Sequence, residues 1–322
     1  MIRTRPERLI VADIGATNGR FAIATFQADG STTLEEMHNI PCASVHSLEQ
    51  LLGRYIEEHT SSVPAHACLA MAGPNDGRTG HITNLDWLAD AAELEQRFGL
   101  DGVALANDFA ALACMAPRLP GSALAEIKPG HAHTDAPVSV IGPGTGLGVS
   151  IVVPAGDDYI TLSTEGGHQS FAPVTEQERA LHDYLSRTLN HVSIESVLCG
   201  RGLARVHDFI TESTGRGMRG LDPAEVSDGA LVGNDDSCIE AIELFLSVLG
   251  SAAGDFALAQ GARGGVFIGG GILPRIRSLI PGSPVVERFC SKGPMQGYLE
   301  HIPVHLIVAD HVALHGAAHL YR

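Results

Sequence analysis

Leu9-Ile10-Val11-Ala12-Asp13-Ile14-Gly15-Ala16-Thr17-Asn18-Gly19-Arg20-Phe21-Ala22-Ile23-Ala24-Thr25-Phe26 is the stretch from which the rest of the chain is read. Leu9 to Asp13 is a short apolar, β-branched run and Arg20 to Phe26 is a second, so the segment predicts a β-hairpin with a Gly-rich turn. Gly15 and Gly19 let backbone N–H groups converge on an anion, and Thr17 and Asn18 add side-chain donors. Asp13, at the strand end, is placed to orient a water on Mg²⁺. The same residues also suit an ordinary hairpin turn. A P-loop is excluded, because the Lys-Ser/Thr of that motif is missing and the turn leads into a strand.

A second unit of the same kind follows about 130 residues later. Val138 to Ile141 and Gly148 to Val153 flank Gly142-Pro143-Gly144-Thr145-Gly146-Leu147-Gly148. Four glycines in seven residues exceed the needs of a turn and favour a loop that hugs an anionic ligand. A Rossmann fingerprint is rejected, since that motif opens a helix and here an apolar β-type run follows. These two strand–turn–strand units are the chain's hint of internal duplication.

Around them, strands and helices mix in an α/β organisation. Ser47-Leu48-Glu49-Gln50 reads as a capping box ahead of Leu48, Leu51, Leu52, Tyr55 and Ile56, one face of a helix. Ala67 to Met71 reads as a buried strand. Val103 to Ala106 is another, running into Asn107-Asp108 and a helix over Phe109 to Met115. Pro117 to Pro137 is expected as a boundary or surface excursion. Thr175-Glu176-Gln177-Glu178 opens a helix carrying Leu181, Tyr184, Leu185 and Leu189, and Asp222-Pro223-Ala224-Glu225 starts another. Ile239 to Gln260 is the longest helical pattern. Val266 to Ile268 breaks into Gly269-Gly270-Gly271, Pro303 to Ala309 is a last strand, and a helix through His315-Gly316-Ala317-Ala318 closes the chain.

With 322 residues, two domains are expected. The balance of 21 Lys and Arg against 37 Asp and Glu, a formal charge of −16, argues against nucleic acid or an anionic membrane as partner. An anionic substrate stays open, because backbone N–H groups can build a phosphate site. Six scattered cysteines show no CxxC spacing, so reduced, mostly buried thiols of a cytoplasmic protein are expected rather than zinc ligands or a redox motif. His131 and His133 sit together in a loop better read as solvated than as metal-binding. No signal peptide is read at the basic start, where Asp13 interrupts the apolar run, and no apolar stretch approaches the ~18 residues of a bilayer span.

Several polar residues stand out. Asn107-Asp108, between a buried strand and a helix, suits N-capping, and also suits a general base whose ionised form the helix dipole favours. Glu165-Gly166-Gly167-His168 sets a carboxylate and an imidazole across two glycines, either to converge on a polyhydroxyl ligand or to line an exposed turn. Glu195, ahead of Val197-Leu198-Cys199-Gly200, reads equally well as a solvated acid of a first helical turn. The Gly269-Gly270-Gly271 run lets a flat ligand or phosphate approach backbone closely.

Taken in order, these segments, together with Ala70-Met71-Ala72-Gly73-Pro74 and Thr83-Asn84, closely resemble the bacterial glucokinase family. That family lies within the sugar-kinase, heat-shock-protein and actin superfamily, and the resemblance spans nearly the whole chain. It implies an actin-like, ribonuclease H-like α/β architecture: a small domain of residues 1–117 plus 308–322, a large one of 118–307, and a cleft. It implies transfer of the γ-phosphate of Mg-ATP to the glucose 6-hydroxyl, with Asp108 as base. Asn107, Glu165, His168 and Glu195 would hold other ring hydroxyls. Asp13, Gly15, Ala16, Thr17, Asn18, Gly144, Thr145 and Gly146 would embrace the phosphates, Asp13 meeting Mg²⁺ through water, and Gly269 and Gly270 would face the adenosine. A homodimer is implied by the resemblance alone. Ser196, Cys199 and Arg201 depart from the family pattern, and Gly19 and Gly271 vary it slightly; these departures touch the helix start after Glu195 rather than the reaction. A kinase for mannose or an amino sugar, or a non-catalytic sugar-binding protein, are the alternatives.

Overall fold

The computed structural model describes residues 6–28, 31–82, 84–217 and 219–321; the basic Met1–Arg5 and Thr83 lie outside them. Two compact units emerge, one from Met1–Leu119 and Ala309–Arg322, the other from Pro120–Val308. The first begins with β1 (Arg8–Ile14), β2 (Asn18–Phe26), β3 (Thr32–Pro41), α1 (Leu48–His59) and β4 (His66–Met71). It continues through the small hairpin β5 (Thr79–Ile82) and β6 (Trp87–Asp90), then α2 (Ala91–Phe98), β7 (Gly102–Asn107) and α3 (Asp108–Met115).

The second unit contains β8 (Leu124–Lys128), β9 (Val138–Pro143), β10 (Leu147–Ala155), β11 (Asp158–Thr164), α4 (Glu176–Ser186) and α5 (Gly200–Ser213). After these come α6 (Pro223–Val232), α7 (Asp236–Gln260), β12 (Gly265–Ile268), α8 (Ile272–Arg275), α9 (Val285–Cys290), α10 (Gln296–Glu300) and β13 (Val304–Ile307). The chain then returns to the first unit as α11 (Val312–Leu320).

The first sheet has the order β3-β2-β1-β4-β7, the second β11-β10-β9-β12-β13-β8. In each, two antiparallel hairpin steps precede two parallel ones: β2 and β3 beside β1, then β4 and β7; β10 and β11 beside β9, then β12 and β13. The duplication hinted at by the two Gly-rich hairpins is therefore a duplication of whole sheets, with β8 added at one edge of the second.

The apolar runs follow from burial on both faces, as central parallel strands require. Alternate residues of one strand go to different cores. Ile10, Ala12 and Ile14 join Ala67, Leu69 and Met71 in a cluster closed by Leu48, Leu51, Leu52 and Tyr55 of α1. Leu9, Val11, Cys68 and Ala70 face the opposite side, where Leu314, Ala317, Ala318 and Tyr321 of α11 cover them.

Local signals act as expected at two helices and differ at a third. Thr175 and Asp222 form reciprocal capping boxes with Glu178 and Glu225. Ser47 caps α1 by accepting from the Gln50 N–H, but the Gln50 side chain accepts from the N–H of His46 instead of Ser47. Leu189 falls beyond the end of α4, and the Pro117 to Pro137 passage, read as an excursion, contains β8, paired with β13. α7 also corrects the sequence reading, because it is long and apolar enough to cross a bilayer; 78% of its apolar window is buried in the second unit, as a core helix requires.

α3 and α11 pack backbone to backbone. A Cβ on Gly316 would lie 1.7 Å from the Ala111 carbonyl oxygen, an approach only glycine permits. Gly316→Ala is therefore a test of sign. Helix propensity alone would stabilise the variant by about 1 kcal/mol, whereas the contact predicts a net loss of about 2–3 kcal/mol through forced backbone movement. A lower urea midpoint is expected; a raised one would contradict the packing.

Candidate active site

In the first unit the polar candidates gather where β1 and β7 end. β1, β4 and β7 run parallel, with Ile14 beside Met71 and Met71 beside Asn107, so the carboxyl ends of these strands share one edge. Such edges are where open α/β sheets bind ligands. Asn107 is the N-cap of α3, its side-chain oxygen accepting from Ala110 N at 2.9 Å. Capping thus uses the Asn107 oxygen and leaves its NH₂ group as a donor. Asp108 opens the helix, and its Oδ1 accepts from Phe109 N at 2.7 Å.

The expectation that the helix dipole favours the ionised form is overturned: burial, and secondarily the negative charge of Asp13, pushes the Asp108 carboxyl up to about 6. Asp13 is itself raised by burial, against the pull of Arg20 and then His311. Arg20 stands directly across the β1–β2 ladder from Asp13, and its Nη1 lies 3.1 Å from Asp13 Oδ2. Arg20 is not among the site residues that the sequence singles out. Its position mirrors Asp13 about the turn, and that hairpin symmetry was the available signal. His311, the left-handed N-cap of α11 at φ 59°, was likewise missed.

The first Gly-rich turn is partly self-satisfied. Gly15 N–H donates to Asn18 O at 3.0 Å, and Thr17 O accepts from Cys42 N. Thr17 is exposed, with Ala16 and Asn18 half-buried beside it. Gly19 is no part of an anion cradle: it is buried in the ladder, and a Cβ there would come within 2.7 Å of Leu51 Cδ2. Its glycine makes room for α1.

The second unit ties three separated segments into one junction. Gly144-Thr145-Gly146 is the turn between β9 and β10, closed by Gly144 N–H to Gly146 O at 2.8 Å. Glu195 does not belong to a first helical turn, since α5 begins at Gly200; its Oε2 instead accepts the Leu147 N–H at 2.7 Å. Gly200 N–H, at the start of α5, donates to Gly144 O at 2.8 Å. The Cys199 sulfur caps that helix by accepting from Gly202 N, so the departure from the family pattern leaves the helix start formed.

Glu165 and His168 stand on a single 3₁₀ turn, both exposed, with His168 Nε2 3.9 Å from Glu165 Oε2. Beneath them Gly167 O accepts from Glu195 N at 2.9 Å, and a Cβ on Gly167 would strike Leu147 O at 2.4 Å. Gly269 and Gly270 join the same body. Gly269 N–H donates to Ile141 O, and Gly270, at φ 84°, packs where a Cβ would meet Pro143 O at 2.3 Å. Five cysteines are buried and Cys290 is half-buried, all of them free; among the described residues no cluster of three or more His, Cys, Asp or Glu is placed for a metal.

The chain is similar to known proteins over nearly its whole length. The glucokinase family model matches residues 10–322. A glucokinase of Chromobacterium violaceum is 43% identical over 97% of this chain and 88% of its own length. The crystal structure of a glucokinase from an Antarctic psychrotroph superposes with a TM-score of 0.85 at 40% identity, covering 97% of this chain and 98% of that one. At 19% identity the fold alone is shared with the glucokinase of Balamuthia mandrillaris solved in complex with glucose, with a TM-score of 0.79 over 98% of this chain and 93% of that one. The architecture is that of the actin-like ATPases, and the chain belongs to the glucokinase family, ATP-dependent kinases that phosphorylate glucose.

Proposed function

We propose that Asp108 takes the proton from the glucose 6-hydroxyl as that oxygen attacks the γ-phosphate of ATP. The observation carrying this reading is a carboxylate at the junction of a buried strand and a helix, with Oδ1 held by Phe109 N–H and its pKa pushed up to about 6. A base tuned near the working pH combines ionisation with proton affinity. Asn107 through its NH₂ group, and Glu165, His168 and Glu195, hold further sugar hydroxyls. Asn107 and Glu195 are half-buried, and polar groups of this kind select a polyol by what is left unpaired when the wrong one binds, while Glu165 and His168 stand on an exposed turn.

The turns at Gly15-Ala16-Thr17-Asn18 and Gly144-Thr145-Gly146 receive the phosphates. Gly269 and Gly270 receive the adenosine. Because Gly15 and Gly144 spend their N–H groups within their own turns, the anion contacts fall to the neighbouring residues, Ala16, Thr17 and Thr145 among them. Asp13 offers an anionic oxygen donor at the strand end, which suits a hydrated Mg²⁺. Asp13 would hold the ion through water, and the ion bound with ATP would neutralise charge on the phosphates. Arg20 keeps the Asp13 carboxylate oriented across the hairpin. The enzyme works in the cytoplasm, as a homodimer, at the entry of glucose into glycolysis.

ADP release measured with Mg-ATP over glucose, mannose, fructose, glucosamine and N-acetylglucosamine tests the substrate. Turnover with glucose well above the others is expected; preference for another sugar would overturn the roles given to Glu165, His168 and Glu195.

Asp108→Asn is expected to lower kcat about 10²–10⁴-fold while glucose still binds. The same variant should be more stable than wild type at pH 7.5. The native state binds the Asp108 proton more tightly than the unfolded chain does, so wild type loses stability as pH rises from 4 through about 6. Removing the charge recovers on the order of 2–3 kcal/mol above that range and nothing below it. Urea midpoints at pH 7.5 and 4.0 check this; equal destabilisation at both would contradict a strained carboxylate.

A further inference from the structure

Resting on the reading of Glu195 as a sugar ligand, we propose that Glu195 is also the positioning residue of the Gly144-Thr145-Gly146 turn, so that one carboxylate serves sugar and phosphate binding together. Its two oxygens are differently engaged. Oε2 accepts the Leu147 N–H at 2.7 Å, the first backbone donor after the turn, and no described residue donates to Oε1. A bidentate carboxylate can therefore hold the turn with one oxygen and meet a hydroxyl with the other.

The fit around Oε2 is close. A Cβ on Gly146 would stand 2.6 Å from it, so glycine at this position leaves the carboxylate its place. Gly146 has no left-handed φ among the glycines that do, so an alanine is tolerated by the backbone and excluded by Glu195 alone. The Glu195 backbone is fixed independently, by its N–H to Gly167 O at 2.9 Å, within the loop that carries Glu165 and His168. On the far side of the turn Gly200 N–H holds Gly144 O. The turn is thus clamped at both ends by residues 195–200, and a shift of the Glu195 side chain moves the clamp.

Losing a hydrogen bond to a charged acceptor while its donor stays in place costs roughly tenfold or more in affinity. Glu195→Ala is expected to raise the glucose KM and, in addition, to raise the ATP KM about tenfold. Glu195→Gln keeps an oxygen for the Leu147 N–H and should return the ATP KM close to wild type while the glucose KM stays raised. Gly146→Ala, which leaves Glu195 in the chain but displaces it, should weaken glucose binding measured by calorimetry without nucleotide, at unchanged thermal midpoint.

A raised glucose KM with unchanged ATP KM in Glu195→Ala would overturn the coupling and leave the sugar role standing. A raised ATP KM with unchanged glucose KM would remove the sugar role itself, and the coupling with it. Failure of Gln to restore ATP affinity, or glucose binding undisturbed in Gly146→Ala, would also count against the shared carboxylate.

Discussion

Burial of β1, β4 and β7 on both faces is the constraint on which the first unit depends. Leu9, Val11, Cys68 and Ala70 face α11, while Ile10, Ala12, Leu69 and Met71 face α1, so polar groups are excluded along the strands and reappear at their carboxyl ends. Asp13 and Asn107-Asp108 stand at those ends, near enough to the core for burial to dominate their electrostatics. The raised Asp108 pKa is a direct consequence: desolvation disfavours the charged form, and the Asp13 charge adds to it. Stability is given up at this point, since a buried carboxylate is held against its own desolvation.

The second unit solves a different problem with the same sheet. Its proposed site residues come from four separated segments, residues 142–148, 165–168, 195–200 and 269–270, and hydrogen bonds and close packing join them. Glycine stands where the segments touch: at Gly167 against Leu147 and Gly270 against Pro143 a Cβ would meet backbone, and at Gly146 it would displace the Glu195 side chain. In each case the missing Cβ lets another segment approach, so part of the glycine richness builds the junction rather than the ligand contact.

How legible this was in the sequence varied with the range of the interaction. The two hairpins, the buried strand before Asn107 and the Thr175 and Asp222 caps rest on neighbours a few residues apart, and pattern and spacing reveal them. β8 was missed because its only reason to be a strand is pairing with β13, far along the chain. Glu195 was readable as an acid of a helix start, yet its partner Leu147 is 48 residues away and its oxygen belongs to another loop. Gly19 shows the reverse error: it looked like phosphate-turn glycine and is packing space for Leu51. The roles proposed for Asp108, Asn107, Glu165 and His168 rest on the order of motifs along the whole chain, since each local pattern also fits a cap or a turn.

The central claim is that a carboxylate raised by burial serves as the base, and its ionisation is the most direct thing to measure. The profile of kcat/KM for glucose against pH, at saturating Mg-ATP, should fall tenfold per pH unit below about 6, on a single ionisation. A profile flat down to about pH 4.5 would contradict the account, since a base of ordinary carboxylate pKa would still be ionised there.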